Sequence, residues 1–208
     1  MTKLNQDLRV ILIGGSSHAG KSTLAQALAN RLGWQYICTD TLARHPGRPW
    51  QAKPQTVPAH VAEHYLSLPV EELLADVLRH YKNLWPRIEA LITTHATDPS
   101  TERLVLEGSA LWPESVATLD VEGVTAVFLT TSNTFFQTRI YNESSYAEAT
   151  KQGQAMIEKF LARTQLYNKR MMTAVTHLNL PYLNIEQSLS IEKLLFTCLE
   201  LFTSDDSD

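Results

Sequence analysis

A glycine-rich segment near the start of the chain constrains its fold more than any other feature of the sequence. Residues 15–22 read Gly-Ser-Ser-His-Ala-Gly-Lys-Ser and fit the pattern G-x-x-x-x-G-K-[ST]. A short apolar run at 10–13 precedes this segment, and apolar residues with helical spacing follow it as far as Gly33. The order of strand, glycine-rich loop and helix argues against a chance Gly/Ser loop and predicts a phosphate-binding loop, the P-loop.

The residue types in this loop suit a triphosphate and a divalent cation. Backbone N–H groups of such a loop point inwards as an anion nest, and the start of the following helix adds positive potential. We expect Lys21 to act on the β- and γ-phosphates as a catalytic residue and the Ser22 hydroxyl to be a ligand of Mg²⁺. For His18, a tolerated loop residue is a simpler interpretation than a catalytic one. The predicted nucleotide-binding residues are Gly15, Ser16, Ser17, His18, Ala19, Gly20, Lys21, Ser22 and Thr23.

Composition and charge restrict the classes of partner. The chain has 208 residues, of which 44% are hydrophobic and 19% charged, which predicts one globular domain over 1–208. A formal net charge of -4 and the lack of a long Lys/Arg block argue against nucleic acid as the main partner. No apolar run is long enough to span a membrane. Cys38 and Cys198 have no metal-binding spacing, so we expect reduced thiols in a cytoplasmic protein. The oligomeric state is not indicated.

Strand and helix patterns alternate along the rest of the chain. Strands are predicted at 10–13, 35–39, 103–106, 124–129 and 182–185. Helices are predicted after the P-loop and at 59–66, 69–94, 113 onwards, 133–142, 152–178 and 190–202. Pro86 is expected to kink or divide the helix at 69–94. The proline-rich segment 41–58 predicts an irregular loop. This alternation predicts an α/β fold with a parallel sheet and helices on both faces.

Two carboxylates end predicted strands, where ligands bind in parallel sheets. Asp40 follows the second strand and could orient a substrate hydroxyl and accept its proton, or simply cap a short turn. Glu107 ends the third strand and could hold Mg²⁺ through water or bind a substrate group. Its alternative is a solvent-exposed acid at the end of a strand.

Arginines follow the second and fourth strands in two groups. Arg44 and Arg48 lie in the loop after Asp40, and Arg139, Arg163 and Arg170 lie in the helical region after the fourth strand. Guanidinium groups bind phosphates and carboxylates bidentately, so these groups are candidate ligand contacts, although a single arginine is weak support. The guanine-reading N-K-x-D pattern, the Asp-Glu pair of motor-type ATPases and the protein-kinase motifs do not occur.

The P-loop, Asp40 and the segment 104–108 together resemble the P-loop small-molecule kinases, which include the nucleoside monophosphate, shikimate and gluconate kinases. Glu107-Gly108 shortly before Pro113, Arg139 and the segment 160–163 are most similar to 2-phosphoglycerate kinase-like proteins. The resemblance implies a five-stranded sheet in the order 2-3-1-4-5, a substrate-side helical insert at about 57–97 and a helical lid at about 134–170. It also implies ATP and Mg²⁺ as ligands, with Asp40 beside the acceptor hydroxyl and Arg139 as a catalytic lid arginine. The candidate substrate-binding residues are Asp40, Arg44, Arg48, Glu107 and Arg163, and Ser22 and Glu107 are the candidates for the metal.

Two functions remain open on the sequence. The first is ATP-dependent phosphoryl transfer to a small-molecule acceptor that bears a hydroxyl or a phosphate. The second is a nucleotide-binding sensor, or a slow NTPase, that acts through a protein partner. Asp40 and the two arginine groups favour the first function, nothing in the sequence excludes the second, and the loop after Asp40 matches no known acceptor motif.

Overall fold

The structure is a computed structural model that describes residues 5–43, 47–50, 57–185 and 190–203. Strands and helices alternate through most of the chain, as the sequence predicts. The strands are β1 (Val10–Gly15), β2 (Gln35–Cys38), β3 (Leu104–Glu107), β4 (Val124–Thr131) and β5 (Tyr182–Ile185). The helices are α1 (Lys21–Leu32), α2 (Ala59–Ser67), α3 (Val70–Thr97), α4 (Pro113–Ala117), α5 (Asn133–Glu143), α6 (Lys151–His177) and α7 (Ile191–Glu200).

The five strands form one parallel sheet in the order β2-β3-β1-β4-β5. The central strand β1 is buried along its whole length and pairs with β3 on one side and β4 on the other. In this register Val10 lies opposite both Leu104 and Val124. A strand that is covered on both faces needs an unbroken apolar run, which the sequence of β1 supplies. The predicted α/β class and strand order are confirmed.

Alternate residues of β1 enter two separate hydrophobic cores, because successive side chains of a strand point to opposite faces. Ile11 and Ile13 pack with buried residues of α1, α2, α5 and α7. Val10 and Leu12 pack with buried residues of α3 and α4 on the other face. The long helix α6 contributes to both cores. Helices therefore cover both faces of the sheet.

Two local predictions differ from the structure. Pro86 does not divide the long helix, since α3 continues through it to Thr97, while the kink that was the other predicted effect stays a prediction. Pro86 is exposed, while Leu84, Ile88 and Ile92 on either side of it are buried, so core packing outweighs the hydrogen bond that proline removes. The second strand ends at Cys38, and Thr39–Thr41 form a single turn of 3-10 helix. Asp40 therefore lies in this turn.

The segments predicted as a helical insert and a lid contain helices. Helices α2 and α3 occupy most of 57–97, and α5, a 3-10 turn at Tyr146–Glu148 and α6 cover 134–170. Whether 57–97 acts as an insert and 134–170 moves as a lid stays a prediction, as does the division of the chain into domains. Within the described ranges, none of the helices combines the length and the apolar character that crossing a membrane requires.

Candidate active site

The glycine-rich loop connects the end of β1 to the start of α1 at Lys21. Two of its glycines have positive φ angles, +143° for Gly15 and +92° for Gly20. A Cβ atom on Gly15 would lie 2.7 Å from the carbonyl oxygen of Leu129 in β4, so this position requires glycine. The Ser16 hydroxyl donates to the carbonyl oxygen of Thr164 in α6 at 3.1 Å. The loop is thus held between β4 and α6.

Lys21 is buried, and its ammonium group contacts the inner side of the loop. Nζ donates to the carbonyl oxygen of Ser16 at 2.8 Å and to Oγ of Ser109 at 3.1 Å. Burial lowers the pKa of Lys21, and the charges of Glu107 and Asp40 oppose this shift. Both contacts are made to neutral oxygens, which phosphate oxygens can replace.

Glu107 lies at the end of β3 and is 2% exposed, so its interpretation as a solvent-exposed acid is wrong. Its Oε1 atom accepts hydrogen bonds from the hydroxyls of Ser22 (2.9 Å) and Tyr36 (3.0 Å). Burial and the carboxylate of Glu107 raise the pKa of Tyr36 to about 12, which keeps the phenol a donor. Burial and Glu107 also raise the pKa of Cys38 to about 12. A buried carboxylate and the P-loop hydroxyl therefore share one side of the site.

Ser22 and Glu107 fit a hydrated magnesium ion. Mg²⁺ prefers hard oxygen ligands, keeps several waters and is bound by one or two carboxylates together with substrate phosphates. Among the residues that the structure describes, no group of three or more His, Cys, Asp or Glu side chains could form an all-protein metal cage. The pair of oxygens suits a cation that arrives with a nucleotide.

His18 packs inwards although it occupies a free position of the P-loop pattern. Its φ angle is +66°, and its ring contacts Trp50 and Phe160 with ring centroids 5.9 Å and 5.6 Å away. Its side chain is 3% exposed. Burial and the nearby cations, of which Arg48 has the largest effect, lower the pKa of His18 to about 3. At neutral pH the imidazole is an uncharged wall of the site.

Glu143 at the end of α5 connects the P-loop to the loop that follows β2. Its Oε2 atom lies 2.9 Å from Nε2 of His18, outside hydrogen-bonding geometry, and its carboxylate forms an ion pair with Arg48. One turn earlier, the guanidinium of Arg139 donates to the carbonyl oxygen of His18 at 3.0 Å. Helix α5 therefore contacts both loops.

Two adjoining cavities open around these residues. The first has a volume of about 570 Å³ and is lined by the P-loop, Glu107, Arg139 and Glu143. The second has a volume of about 290 Å³, and Arg163 lines it but not the first. Both cavities share four residues, namely Ser17, Asp40, Arg48 and Ser109. Asp40 thus lies at the boundary between the cavity at the glycine-rich loop and a second, smaller one.

The structure brings most of the predicted site residues together. Lys21, Ser22, Asp40, Arg48, Glu107 and Arg139 all line the first cavity. Asp40 is exposed in its 3-10 turn, whose N-terminus has no side-chain cap, so the capping interpretation is wrong. Arg44 lies outside the described residues. Arg163 lines the smaller cavity rather than the first one.

Sequence reasoning missed three residues of this site. Tyr36 donates to Glu107, Ser109 contacts Lys21, and Glu143 forms an ion pair with Arg48 and lies beside His18. Tyr36 could have been found, because it lies in register with Val105 on β3, close to the carboxylate that ends that strand. No pattern in the sequence distinguishes Ser109 or Glu143, since their contacts are made across 88 and 95 residues.

Solved structures similar to this chain include kinases of small molecules. A shikimate kinase from Acinetobacter baumannii in complex with shikimate aligns with a TM-score of 0.51 and 15% identity over 97% of this chain and 96% of that one. A gluconokinase from Sinorhizobium meliloti 1021 aligns with a TM-score of 0.50 and 16% identity, covering 94% and 92% of the two chains. A shikimate kinase from Bacteroides thetaiotaomicron gives 0.50 and 18% identity, covering 92% and 97%.

Comparison with protein-family models gives no match, and comparison with curated protein sequences gives none either. Identities of 15–18% show a shared fold and carry no specific activity from one protein to another. The glycine-rich loop, the strand order and these alignments agree with one another. The chain therefore has the fold of the P-loop small-molecule kinases.

Proposed function

We propose that the protein transfers the γ-phosphoryl group of ATP to a small-molecule acceptor. The observation that carries the proposal is the pair of adjoining cavities with Asp40 on their shared wall. A kinase needs one site for the triphosphate and a second for the acceptor, with the attacking oxygen held in line between them. A protein that only senses nucleotide needs the first cavity alone.

The first cavity supplies the groups that a triphosphate requires. Residues 15–23 would surround the phosphates with backbone N–H groups, and Lys21 would exchange its contacts with Ser16 and Ser109 for β- and γ-phosphate oxygens. Ser22 and Glu107 would hold Mg²⁺, which when bound neutralises charge on the phosphates. Arg139 lines the same cavity and is placed to compensate negative charge as the phosphoryl group moves.

Asp40 is the group proposed to act on the acceptor. Its carboxylate would accept a hydrogen bond from the acceptor hydroxyl, orient the oxygen toward the γ-phosphorus and take the proton during transfer. A new bond forms between the acceptor oxygen and the γ-phosphorus, and the bond from that phosphorus to the bridging β–γ oxygen breaks. ADP leaves with the electron pair of that bond.

The sensor remains the second candidate, and the finer resemblance to 2-phosphoglycerate kinase-like proteins stays a prediction. One observation favours the sensor. Glu143 of α5 forms an ion pair with Arg48, and both residues line the first cavity. Nucleotide bound there would therefore touch a contact between two surface segments. A sensor transmits nucleotide binding without an acceptor, so the acceptor requirement separates the two functions.

Asp40→Asn tests the proposal, because it keeps the size of the side chain but removes the basic oxygen. We expect ATP affinity near that of the wild type and a fall of about 10²-fold or more in acceptor-dependent ADP release, the usual scale for loss of a general base. A metabolite screen for stimulated ADP release supplies the assay. Asp120→Asn, at an exposed position away from both cavities, is the control. If no acceptor stimulates the wild type, or if Asp40→Asn keeps full turnover, the sensor becomes the better explanation.

A further inference from the structure

We infer that Tyr36 is a positioning residue, whose hydroxyl holds the carboxylate of Glu107 in the orientation that serves the cation of the nucleotide. This inference rests on the part of the proposed function in which Ser22 and Glu107 hold Mg²⁺. It adds a residue that would touch neither the nucleotide nor the acceptor. Two hydrogen bonds from different elements to one buried carboxylate oxygen carry it.

Glu107 is a buried carboxylate, so its orientation depends on the groups that donate to it. It is 2% exposed, ends β3 and lines the first cavity. A carboxylate removed from water is costly unless hydrogen bonds satisfy it. Oε1 accepts one bond from Ser22 at 2.9 Å and another from Tyr36 at 3.0 Å. Since Ser22 belongs to α1 and Tyr36 to β2, two separate elements hold one oxygen.

The two donors differ in where they lie relative to the first cavity. Ser22 lines that cavity together with Glu107, whereas Tyr36 lines neither of the two cavities. The Ser22 oxygen would be shared between Glu107 and the cation, while the Tyr36 hydroxyl would serve Glu107 alone. Both hydroxyls donate to Oε1, so neither of them occupies Oε2. Oε2 would then accept from the water that Mg²⁺ usually keeps.

The sheet places the phenol of Tyr36 beside the end of β3. Strand β2 pairs with β3 so that Tyr36 lies opposite Val105 and Cys38 lies opposite Glu107. Tyr36 and Cys38 are two residues apart and therefore share one face of β2. A tyrosine side chain has only two torsion angles, so its hydroxyl is held at little cost in conformational entropy. Tyr36 is thus suited to fix a neighbouring carboxylate.

Loss of the Tyr36 hydroxyl should loosen Glu107 without changing the residues around the phosphates. The terminal torsion of a glutamate is broad, so a carboxylate with fewer donors takes up more orientations. Groups that hydrogen-bond to metal ligands typically contribute 10- to 100-fold to metal affinity. The backbone of the P-loop and Lys21, which would bind the phosphates, make no contact through the Tyr36 hydroxyl. We therefore expect an effect on the cation and none on the nucleotide alone.

Mn²⁺ binding to the complex with ADP tests the inference, because Mn²⁺ accepts the same oxygen ligands as Mg²⁺ and its free form is measured by electron paramagnetic resonance. Tyr36→Phe keeps the ring and removes the hydroxyl. With protein in excess over ADP, we expect the variant to bind Mn²⁺ about 10-fold more weakly than the wild type. ADP affinity measured by calorimetry in the presence of EDTA should be the same in both proteins.

Tyr182→Phe is the matched control. Tyr182 is 51% exposed and lies on β5, the strand at the opposite edge of the sheet from β2. This variant should bind Mn²⁺ and ADP as the wild type does. Mn²⁺ affinity that is unchanged in Tyr36→Phe would overturn the inference. So would an equal loss of ADP affinity without metal, because Tyr36 would then support the whole loop rather than the carboxylate.

A double-mutant cycle shows whether Tyr36 acts through Glu107. In a Glu107→Gln background the carboxylate is already gone, so Tyr36→Phe should cause no further loss of Mn²⁺ affinity. A further loss as large as that in the wild-type background would overturn the inference. If Tyr36→Phe does not fold, Glu107→Asp gives the result, because it keeps the charge and draws the carboxylate away from Tyr36. It should lose Mn²⁺ affinity selectively, and an unchanged affinity would contradict the importance of this orientation.

The inference and the proposed function can fail separately. If Tyr36→Phe weakens Mn²⁺ binding selectively but no acceptor ever stimulates ADP release, the role of Tyr36 stands and the kinase proposal fails. If an acceptor is phosphorylated while Tyr36→Phe binds Mn²⁺ as the wild type does, the kinase proposal stands and the inference fails.

Discussion

The two cavities differ in how their polar groups are satisfied. In the first cavity Lys21 contacts Ser109 and Ser22 contacts Glu107, although the buried Nε2 atom of His18 has no hydrogen-bond partner within the described residues. In the smaller cavity Arg163 and Thr39 have polar atoms that are buried and unpartnered within the described residues. The two P-loop side chains of the first cavity therefore have protein partners, whereas two polar side chains of the smaller cavity have buried atoms that lack them.

This difference follows the way each cavity is built from the chain. Six of the fourteen residues that line the first cavity lie within residues 17–23, and a single strand–loop–helix unit holds them in place. The smaller cavity combines segments near residues 39–43, 47–48, 77–84, 109–110 and 160–163. A contiguous glycine-rich segment thus supplies a large part of the first cavity, while the smaller one is assembled from segments that are distant in the chain.

Lys21→Ala tests whether the phosphate-binding side works as an independent unit. Loss of a charge-assisted contact should weaken ATP binding by about 1.5–3 kcal/mol. The fold should survive, because within the described ranges the hydrogen bonds of Nζ go to Ser16 and Ser109 and to no other residue. Isothermal calorimetry measures the affinity, and Lys169→Ala, at an exposed position on α6, is the control. Equal ATP affinity in the Lys21 variant and the wild type would contradict the interpretation of this loop as a P-loop.

Gly108→Ala tests the junction between the two sides. A Cβ atom on Gly108 would come within 2.8 Å of Cβ of the fully buried Thr39, so the backbone that carries Thr39 and Asp40 would have to move. We expect the free energy of unfolding to fall by about 1–3 kcal/mol, the usual cost of overpacking, when measured by urea titration. Gly153→Ala, whose Cβ would lie 3.3 Å from its nearest neighbour, should change stability by less than about 1 kcal/mol. Unchanged stability in Gly108→Ala would show that the junction is loosely packed.

His18→Asn tests whether the imidazole of His18, which lies against Trp50, is uncharged in the folded protein. The pKa of His18 is lowered to about 3 from 6.5, so the unfolded chain binds a proton that the folded chain excludes between these pH values. The contribution of His18 to the free energy of unfolding is complete above pH 6.5. It is lost as the pH falls toward 3, at about 1.4 kcal/mol per pH unit.

The asparagine variant should lack this component of the slope, and asparagine tolerates the positive φ angle of this position. Urea titrations at several pH values between 4 and 6.5 measure the slope. The exposed control His60→Asn should keep the wild-type contribution of His18. Identical slopes for His18→Asn and the wild type would show that the imidazole is protonated in the folded protein.

The sequence was most informative where function depends on neighbouring residues. The P-loop pattern and the apolar run of β1 predicted the first cavity, because both are local and have fixed spacing. The burial of Arg163 was not predictable, since a charged residue among the buried positions of α6 breaks the rule that such residues stay in water. The ion pair of Glu143 with Arg48, beside His18, was missed for a related reason: it involves three segments that only the fold brings together.

The position of β1 in the sheet has a consequence for how the site forms during synthesis. The strands that flank β1 are β3 and β4, while β2, made directly after the P-loop, lies at the sheet edge beyond β3. A nascent chain therefore contains the complete phosphate-binding motif long before residues 104–107 and 124–131 leave the ribosome. Because an isolated strand has no partners for its backbone groups, an N-terminal fragment that stops before residue 104 would carry the full motif and have no nucleotide site.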